Sequence, residues 1–354
     1  LSKKKPSHTP TRHQPATLQD IAAAAGVHPA SVSRALRGVG TKVSEATRAN
    51  IERIAREMGY RPNAAASALR TRQTHLIGIV VPDLGNPLFG PLVQGIEVEL
   101  RQQGFMCLVI QTPELPAERR EIVLALAHRQ VSGLVVLAAE SDDPMLDAAE
   151  QFALPTVLVN RGFGQHRFPA VVNDDRESVR LVVEHLAGLG HRVIVHIAGP
   201  AASSTGRARR LAFEALCKTH KIDAIVVEAK AFTRPAGLAA ALELLAKTQR
   251  ATAVFAANDL IAMGVLDALH QHGLAVPGRV SVVGHNDMPF VDLIAPPLTT
   301  VRIAVDQMSR QAAQMLLEYM QTPGLDASMR VLMPRLVVRA STAVAPRGRR
   351  VPRG

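Results

Sequence analysis

The sequence predicts a short all-α domain followed by a larger, two-lobed α/β core built on parallel sheets. Three observations carry this reading. Residues 16–60 read as three short helices punctuated by glycine. From Leu76 onward, continuous apolar runs alternate with helical stretches, as strands buried on both faces of a parallel sheet require. That alternation occurs in two successive series, which implies two similar lobes. A length of 354 residues also exceeds what one ordinary core holds.

The helical segment justifies itself residue by residue. Thr17 is placed to cap a first helix, with Asp20 near its positive end. Leu18, Ile21, Ala22 and Ala25 share one face, and Gly26 breaks the helix. Pro29 suits the first position of a second helix, where its missing N–H costs nothing. That helix continues from Ala30 to Leu36, turns Val32 and Leu36 inward, and ends at Gly38 and Gly40. Ser44 then caps a third helix, which carries Ile51, Ile54 and Met58 inward and stops at Gly59. The connector 61–74 contains "NAAASALR", good helix formers with a single large apolar residue, Leu69. A helix that short is marginal alone and orders only when docked. An ordinary linker is the competing reading.

In the core, the first series of strands is "LIGIVV" (76–81), "MCLVI" (106–110), "GLVVLA" (133–138) and "PTVLVN" (155–160). Helical stretches lie at 91–103, 116–130 and 143–152. The second series is "AVVN" (170–173), "VIVHIAG" (193–199), "AIVVE" (224–228), "AVFAAN" (253–258) and "VSVVG" (280–284). Its helices fall near 175–189, 206–220, 233–247 and 259–272. Ligands in such folds bind at the carboxyl ends of the strands, here between the lobes.

Charge narrows the function. The net charge is +11, yet residues 1–75 carry 13 Lys/Arg against 4 acids, and the tail from Arg347 to Arg353 adds 4 Arg. The remainder is nearly neutral, at −2. A cationic N-terminal segment on a neutral body points to a polyanion, with nucleic acid first. A merely solvated basic tail is the alternative. Two helices joined by a glycine turn and followed by a third, inside that basic segment, form a helix-turn-helix. A recognition helix entering the major groove needs a small, polar outer face, and Ser31, Ser33, Arg34 and Arg37 supply it. Arg34 suits the edge of a guanine, and the hydroxyls suit phosphates.

Other chemistry is sparse. Cys107 and Cys217 sit in separate apolar stretches and read as buried, reduced thiols, as in a reducing compartment. No run reaches the roughly 18 apolar residues of a membrane span. The opening "LSKKKPSHTPTRHQPAT" reads as a disordered arm rather than a secretory signal. There is no dinucleotide fingerprint, zinc-protease motif or nucleophile elbow. Gly273 to Gly278 has phosphate-loop spacing, but Arg279 stands in place of Lys-Ser/Thr. His270 and His272 point apart on a helix. No catalytic residue, metal set or cofactor is expected. The second lobe does offer polar groups at three strand ends: "AGPAASSTGRARR", "AAND" (256–259) and "GHND" (284–287). Together they suit a hydroxyl-rich ligand.

These stretches make the chain resemble the lactose/galactose-repressor (LacI/GalR) family of bacterial transcriptional regulators over about residues 16–340. The motifs are "TLQDIAAAAGVHPASVSRALRG", "YRPNAAASALRT", "IGIVVPDLGNPLF", "GLGHRVIVHIAGP", "AANDLIAMGVLDAL", "VSVVGHNDMPF" and "PPLTTVRI", in that order. The resemblance implies a cytoplasmic homodimeric repressor, with no membrane partner, bound to near-palindromic double-stranded operator DNA. It implies a headpiece at 16–60, a hinge helix within 61–74, and a periplasmic-binding-protein-like core at 75–343. The first lobe is placed at 75–172 plus 299–329 and the second at 173–298 plus 330–343. Basic tails at 1–15 and 344–354 flank them.

By motif, Pro29, Ala30 and Arg34 fall where the family reads base edges. Thr17, Ser31 and Ser33 fall on phosphate or backbone contacts. Asn63 belongs with the hinge contacts, and Leu69 matches the leucine that wedges into the minor groove. Ser67 stands where many members have Arg. For the small-molecule effector, Phe89, Asn160, Arg209, Phe232, Asn258 and Asn286 match the cleft lining. Members often carry Asp where this chain has Asn286, and an aromatic where it has His285. Losing that carboxylate makes a sugar acid a candidate beside a neutral sugar. A solute receptor without DNA function also explains two lobes, though not the basic headpiece. An enzyme would rest on the α/β fold alone.

Overall fold

The computed structural model describes residues 16–36, 43–60, 74–113, 115–140, 142–162, 167–248, 250–322 and 324–346. The expectations for Arg37, Gly38, Gly40, Asn63, Ser67, Leu69, residues 1–15 and the tail from 347 lie outside these residues; Ala345, placed in the C-terminal tail, donates its N–H to the Leu189 carbonyl at 2.8 Å. The chain divides into two compact units, Leu1–Thr74 and His75–Gly354.

The smaller unit holds α1 (Leu18–Ala25), α2 (Pro29–Ala35) and α3 (Glu45–Glu57). A capping box starts α1: Thr17 Oγ1 accepts the Asp20 N–H, and the Asp20 carboxylate accepts the Thr17 N–H. Gly26 ends it at φ 64°, a left-handed conformation that costs glycine nothing. Ser44 caps α3 by accepting the Thr47 N–H. Ile21, Val32 and Ile51 are fully buried where the three helices meet. Each such side chain contributes roughly 1.5–3 kcal/mol. Met58 departs from expectation, being 39% exposed. It is the first residue past α3, and the turn into Gly59 at φ 63° carries it off the inner face. Tyr60 packs against the cluster instead.

The larger unit contains two six-stranded sheets. The first sheet uses β1 (Leu76–Val81), β2 (Met106–Gln111), β3 (Gly133–Leu137), β4 (Thr156–Val159), β5 (Ala170–Asn173) and β11 (Met329–Leu332). Its spatial order is β11-β5-β4-β3-β1-β2, and every pairing is parallel. The second sheet uses β6 (Val193–Ala198), β7 (Asp223–Glu228), β8 (Ala253–Ala256), β9 (Ser281–Asn286), β10 (Thr299–Arg302) and β12 (Arg335–Val337). Its order is β12-β10-β9-β8-β6-β7, parallel except for β12 against β10.

Helices cover both faces of each sheet. In the first lobe they are α4 (Phe89–Gln102), α5 (Pro116–His128), α6 (Pro144–Gln151) and α11 (Val305–Gln321). Ile77 and Ile79 of β1 face Leu92 and Ile96 of α4 and Met315 of α11, whereas Val80 joins Val123 and Leu126 of α5. Alternate residues thus serve opposite layers. The second lobe carries α7 (Asp175–Gly188), α8 (Ser204–Thr219), α9 (Arg234–Lys247) and α10 (Asp259–Gln271). Val195 and Ile197 pack toward α9 and α10, while Ile194 packs on the α7 and α8 side with Phe213 and Phe255.

Three sequence expectations need correction. "AVVN" (170–173) was expected to open the second series of strands, but it completes the first sheet between β4 and β11. Residues 299–302 were assigned to the first lobe, yet β10 pairs with β9 in the second sheet. Likewise 330–332 belong to β11 of the first lobe rather than to the second. The chain therefore crosses after Asn173, after Arg302 and after Leu332. The physical reason is pairing: Thr299–Arg302 matches Val283–Asn286 in register before the chain leaves for α11. No helix among the described residues is long and apolar enough to cross a membrane.

Candidate nucleic-acid interface and ligand cleft

In the headpiece, His28 caps α2 through Nδ1, which accepts the Ala30 N–H at 3.2 Å. Pro29 occupies the first turn. Ala30 is exposed, while Pro29, Ser31, Ser33 and Arg34 are half-buried. Arg34 Nε donates to the Ala30 carbonyl at 3.0 Å, so the guanidinium lies back along the exposed first turn. The Thr17 hydroxyl is engaged within the headpiece, donating to Asp20 at 2.7 Å and accepting the Asp20 N–H at 3.3 Å. A phosphate contact by Thr17 would have to share or replace those bonds.

Each sheet of the core has a point where strand order reverses, between β1 and β3 in the first and between β6 and β8 in the second. Crevices form at the carboxyl ends of such strands. One cavity of about 160 Å³ lies there, and Phe89, Asn160, Arg209, Phe232, Asn258 and Asn286 all line it. It is smaller than the roughly 300–1,000 Å³ of sites for drug-sized ligands, and so suits a small polar molecule. Pro82, Asp83, Asn86, Leu88, Arg161, Thr205 and Thr233 complete the lining. A larger cavity of about 530 Å³ shares only Leu88 and Asn286 with it and lies against the crossing segments 302–307 and 333–335. The smaller one gathers the polar groups of both switch points and is the candidate ligand cleft.

The individual side chains divide into held and open. Arg209 is buried; its Nε donates to Asp175 at 2.7 Å and its Nη1 to the Ala257 carbonyl at 2.5 Å. Asn258 caps α10, its Oδ1 accepting the Ile261 N–H at 2.8 Å while Nδ2 donates to the Phe232 carbonyl at 3.2 Å. Asn286 accepts from His285 Nδ1 at 2.9 Å. Burial holds the His285 imidazole well below the usual histidine range, so it is the neutral ring that donates. Asn160 directly follows β4 at φ 70°, and its Oδ1 is buried without a partner. Phe232 stands where a Cβ on Gly199 would lie 2.3 Å from its ring. Only glycine at the end of β6 leaves the ring its place. Asp287, next to Asn286, is committed to Arg302 and to Arg339.

Both thiols are poor nucleophiles. Burial pushes Cys217 up to about 12, and burial with Glu97 nearby pushes Cys107 to about 11. Among the described residues no cluster of His, Cys, Asp or Glu is arranged to hold a metal ion.

Comparison with known proteins fits both units. Residues 17–63 match the signature of bacterial regulatory proteins of the lacI family, and residues 183–342 match the periplasmic binding protein-like domain. The HTH-type transcriptional regulator MalR of Streptomyces coelicolor is 37% identical over 347 residues, covering 94% of this chain and 98% of that protein. The chain belongs to the LacI family.

This LacI-family protein is a DNA-binding transcriptional regulator, with a helix-turn-helix headpiece and a two-lobed core. HTH-type transcriptional regulator CelR of Thermobifida fusca is 33% identical, covering 93% of this chain and 99% of its own. Among solved structures, the lac repressor dimer bound to operator and the anti-inducer ONPF is 27% identical with a TM-score of 0.84, covering 93% of this chain and all of that one. A CelR–cellobiose complex is 29% identical with a TM-score of 0.71, covering 92% and 99%. In this LacI-family regulator, sequence reasoning missed Asp83, Asn86, Arg161, Thr205 and Thr233 in the cleft. Arg161 carried a usable signal: a cation directly after Asn160, at the end of a buried strand. Thr233 caps α9, whereas Thr205 lies in the first turn of α8 behind the Ser203 cap.

Proposed function

We propose that this regulator is a cytoplasmic, homodimeric repressor of a near-palindromic operator, released or recruited by a small polar effector, a sugar or sugar acid. Thr17, Pro29, Ala30, Ser31, Ser33 and Arg34 of the headpiece contact DNA, together with Asn63 and Leu69 of the connector. The effector occupies the cleft lined by Phe89, Asn160, Arg209, Phe232, Asn258 and Asn286, and it is bound without being turned over.

The observation that supports this best is convergence. Phe89 and Asn160 come from the first lobe, and Arg209, Phe232, Asn258 and Asn286 from the second, yet all six line one cavity at the strand ends. A molecule gripped from both sides stabilises one angle between lobes over another. It changes operator affinity only to the extent that it binds those two arrangements unequally.

The test uses the full chain. Operator-containing DNA should bind with steep salt dependence, and removal of residues 1–74 should abolish binding. Thermal shift of the full chain against sugars, sugar acids and nucleobases should find a ligand that also changes operator affinity. DNA binding that survives the deletion would overturn the regulator mechanism. A ligand that raises the melting temperature but leaves operator affinity unchanged would overturn the coupling.

A further inference from the structure

Arg161 is the cleft residue whose bonding the fold leaves unfinished. Its Nη1 donates to the Ala138 carbonyl at 3.0 Å, and its guanidinium stands 5.3 Å from the centre of the Phe232 ring. Its Nε is buried and meets no acceptor. The two carboxylates that act on it are already engaged, Asp175 with Arg209 at 2.7 Å and Glu140 with Arg119 at 3.3 Å. Burial pulls the guanidinium down to about 10, the mark of a cation removed from water without a close counter-charge. The neighbouring Asn160 adds a buried Oδ1 with no donor. Asn160 and Arg161, adjacent at one strand end, thus line the same cavity while each keeps one buried polar atom unpaired. Across from them Asn258 and Asn286 bring amides, which do not repel an anion. Asp83 also lines the cavity, with Oδ1 held by the Gly85 N–H at 2.8 Å.

Building on the ligand-controlled reading above, we infer that the effector is an anionic sugar whose oxyanion pairs with the Arg161 guanidinium beside Asn160. A guanidinium edge is shaped for a planar carboxylate and also takes phosphate. A neutral sugar hydroxyl would fill the hydrogen bond but leave the buried charge without a counter-charge. Sugar acids and sugar phosphates share the required oxyanion.

The experiment is calorimetric titration of the full chain with hexuronates and aldonates, each beside its neutral sugar or carboxamide, and with the matching sugar 6-phosphates. At least one anionic member should bind tenfold or more tighter than its neutral counterpart. Arg161→Gln should erase that preference, and Arg161→Lys should retain part of it. A preference confined to phosphates assigns phosphate as the oxyanion; one confined to acids assigns carboxylate. Equal binding of neutral and anionic members overturns the inference, as does undiminished anion preference in Arg161→Gln, or a panel in which nothing binds. The wild-type comparison decides the matter even if a variant fails to fold. Operator binding by the same preparation separates the two levels. A chain that binds operator and answers a neutral sugar overturns only the anion, whereas one whose operator affinity answers no ligand overturns the ligand-controlled mechanism as well.

Discussion

Arg209 and Asp175 meet through Nε and Oδ1 at 2.7 Å, with side chains only 4% and 14% exposed. Arg209 also reaches the end of β8 at the Ala257 carbonyl, so one guanidinium ties the starts of α7 and α10 to α8. Breaking a buried pair of this kind leaves a charge without compensation. Asp175→Ala should therefore lower the unfolding free energy by about 3–5 kcal/mol in chemical denaturation. Replacing both residues, as in Arg209→Met with Asp175→Leu, should recover most of that loss. A loss from Asp175→Ala below about 1 kcal/mol would mean that water already serves the pair. Arg209→Ala would orphan Asp175 in turn, so Arg209→Lys is the cleaner probe of ligand contact.

Phe232 and Gly199 share one space. Gly199→Ala puts a methyl 2.3 Å from the ring, which must swing away. Overpacking of this kind costs about 1–3 kcal/mol of stability. Because the ring forms a cleft wall, effector affinity should fall at least tenfold in calorimetric titration. Unchanged affinity would remove Phe232 from the ligand site.

Arg34→Ala should weaken operator binding by roughly 1–3 kcal/mol and relax specificity at one base pair per half-site. Competition binding against operators varied one base pair at a time measures both. A uniform loss across all sequences would make Arg34 a phosphate contact. The substitution also removes the Arg34–Ala30 bond, so helix content of the variant serves as the control.

Buried titratable groups pull the stability of the core in opposite directions between pH 4 and 7. Burial lowers His185, His191, His196 and His285 from 6.5, with His196 falling to about 4. The unfolded chain takes up those protons first. This stability is thus complete above pH 6.5 and is lost as pH falls toward 4. For His196 alone the gap corresponds to roughly 3 kcal/mol. Asp259 works the other way: burial raises it to about 7, so its share is present in acid and is lost as pH rises through 7. Asp175, also raised by burial, sides with Asp259, and melting temperatures between pH 4 and 7 read the balance. His196→Gln should lower the slope of melting temperature against pH and Asp259→Asn should raise it; an unchanged slope in both would sink this account.

The local elements were legible because their signals are local. "LIGIVV" and "GLVVLA" are apolar throughout, and they form β1 and β3 with nearly every side chain buried. Thr17, Gly26, Pro29 and Ser44 mark helix ends that the structure keeps. What was not legible depended on partners distant in sequence. The four-residue strand Thr299–Arg302 contains nothing that names its sheet; pairing with β9 decides it. The cleft residues could be gathered by family resemblance, but their duties could not. Asn258 spends its side chain capping α10 and holding the Phe232 carbonyl, bonds that only packing reveals. Arg161 went unnoticed because its significance lies in a missing acceptor, which a sequence does not record.

The three crossings bear on how the chain is born. The first lobe draws its sheet edge and one covering helix from residues 305–332, after the second lobe has already contributed five of its six strands. The second lobe in turn waits for Arg335–Val337. A growing polypeptide leaving the ribosome therefore cannot finish either lobe until almost the whole core has emerged. Until then β5 lacks its outer neighbour and β10 lacks β12, and both are open to pairing with another chain. The headpiece is finished long before, so a nascent chain carries a folded DNA reader ahead of any ligand cleft that could govern it.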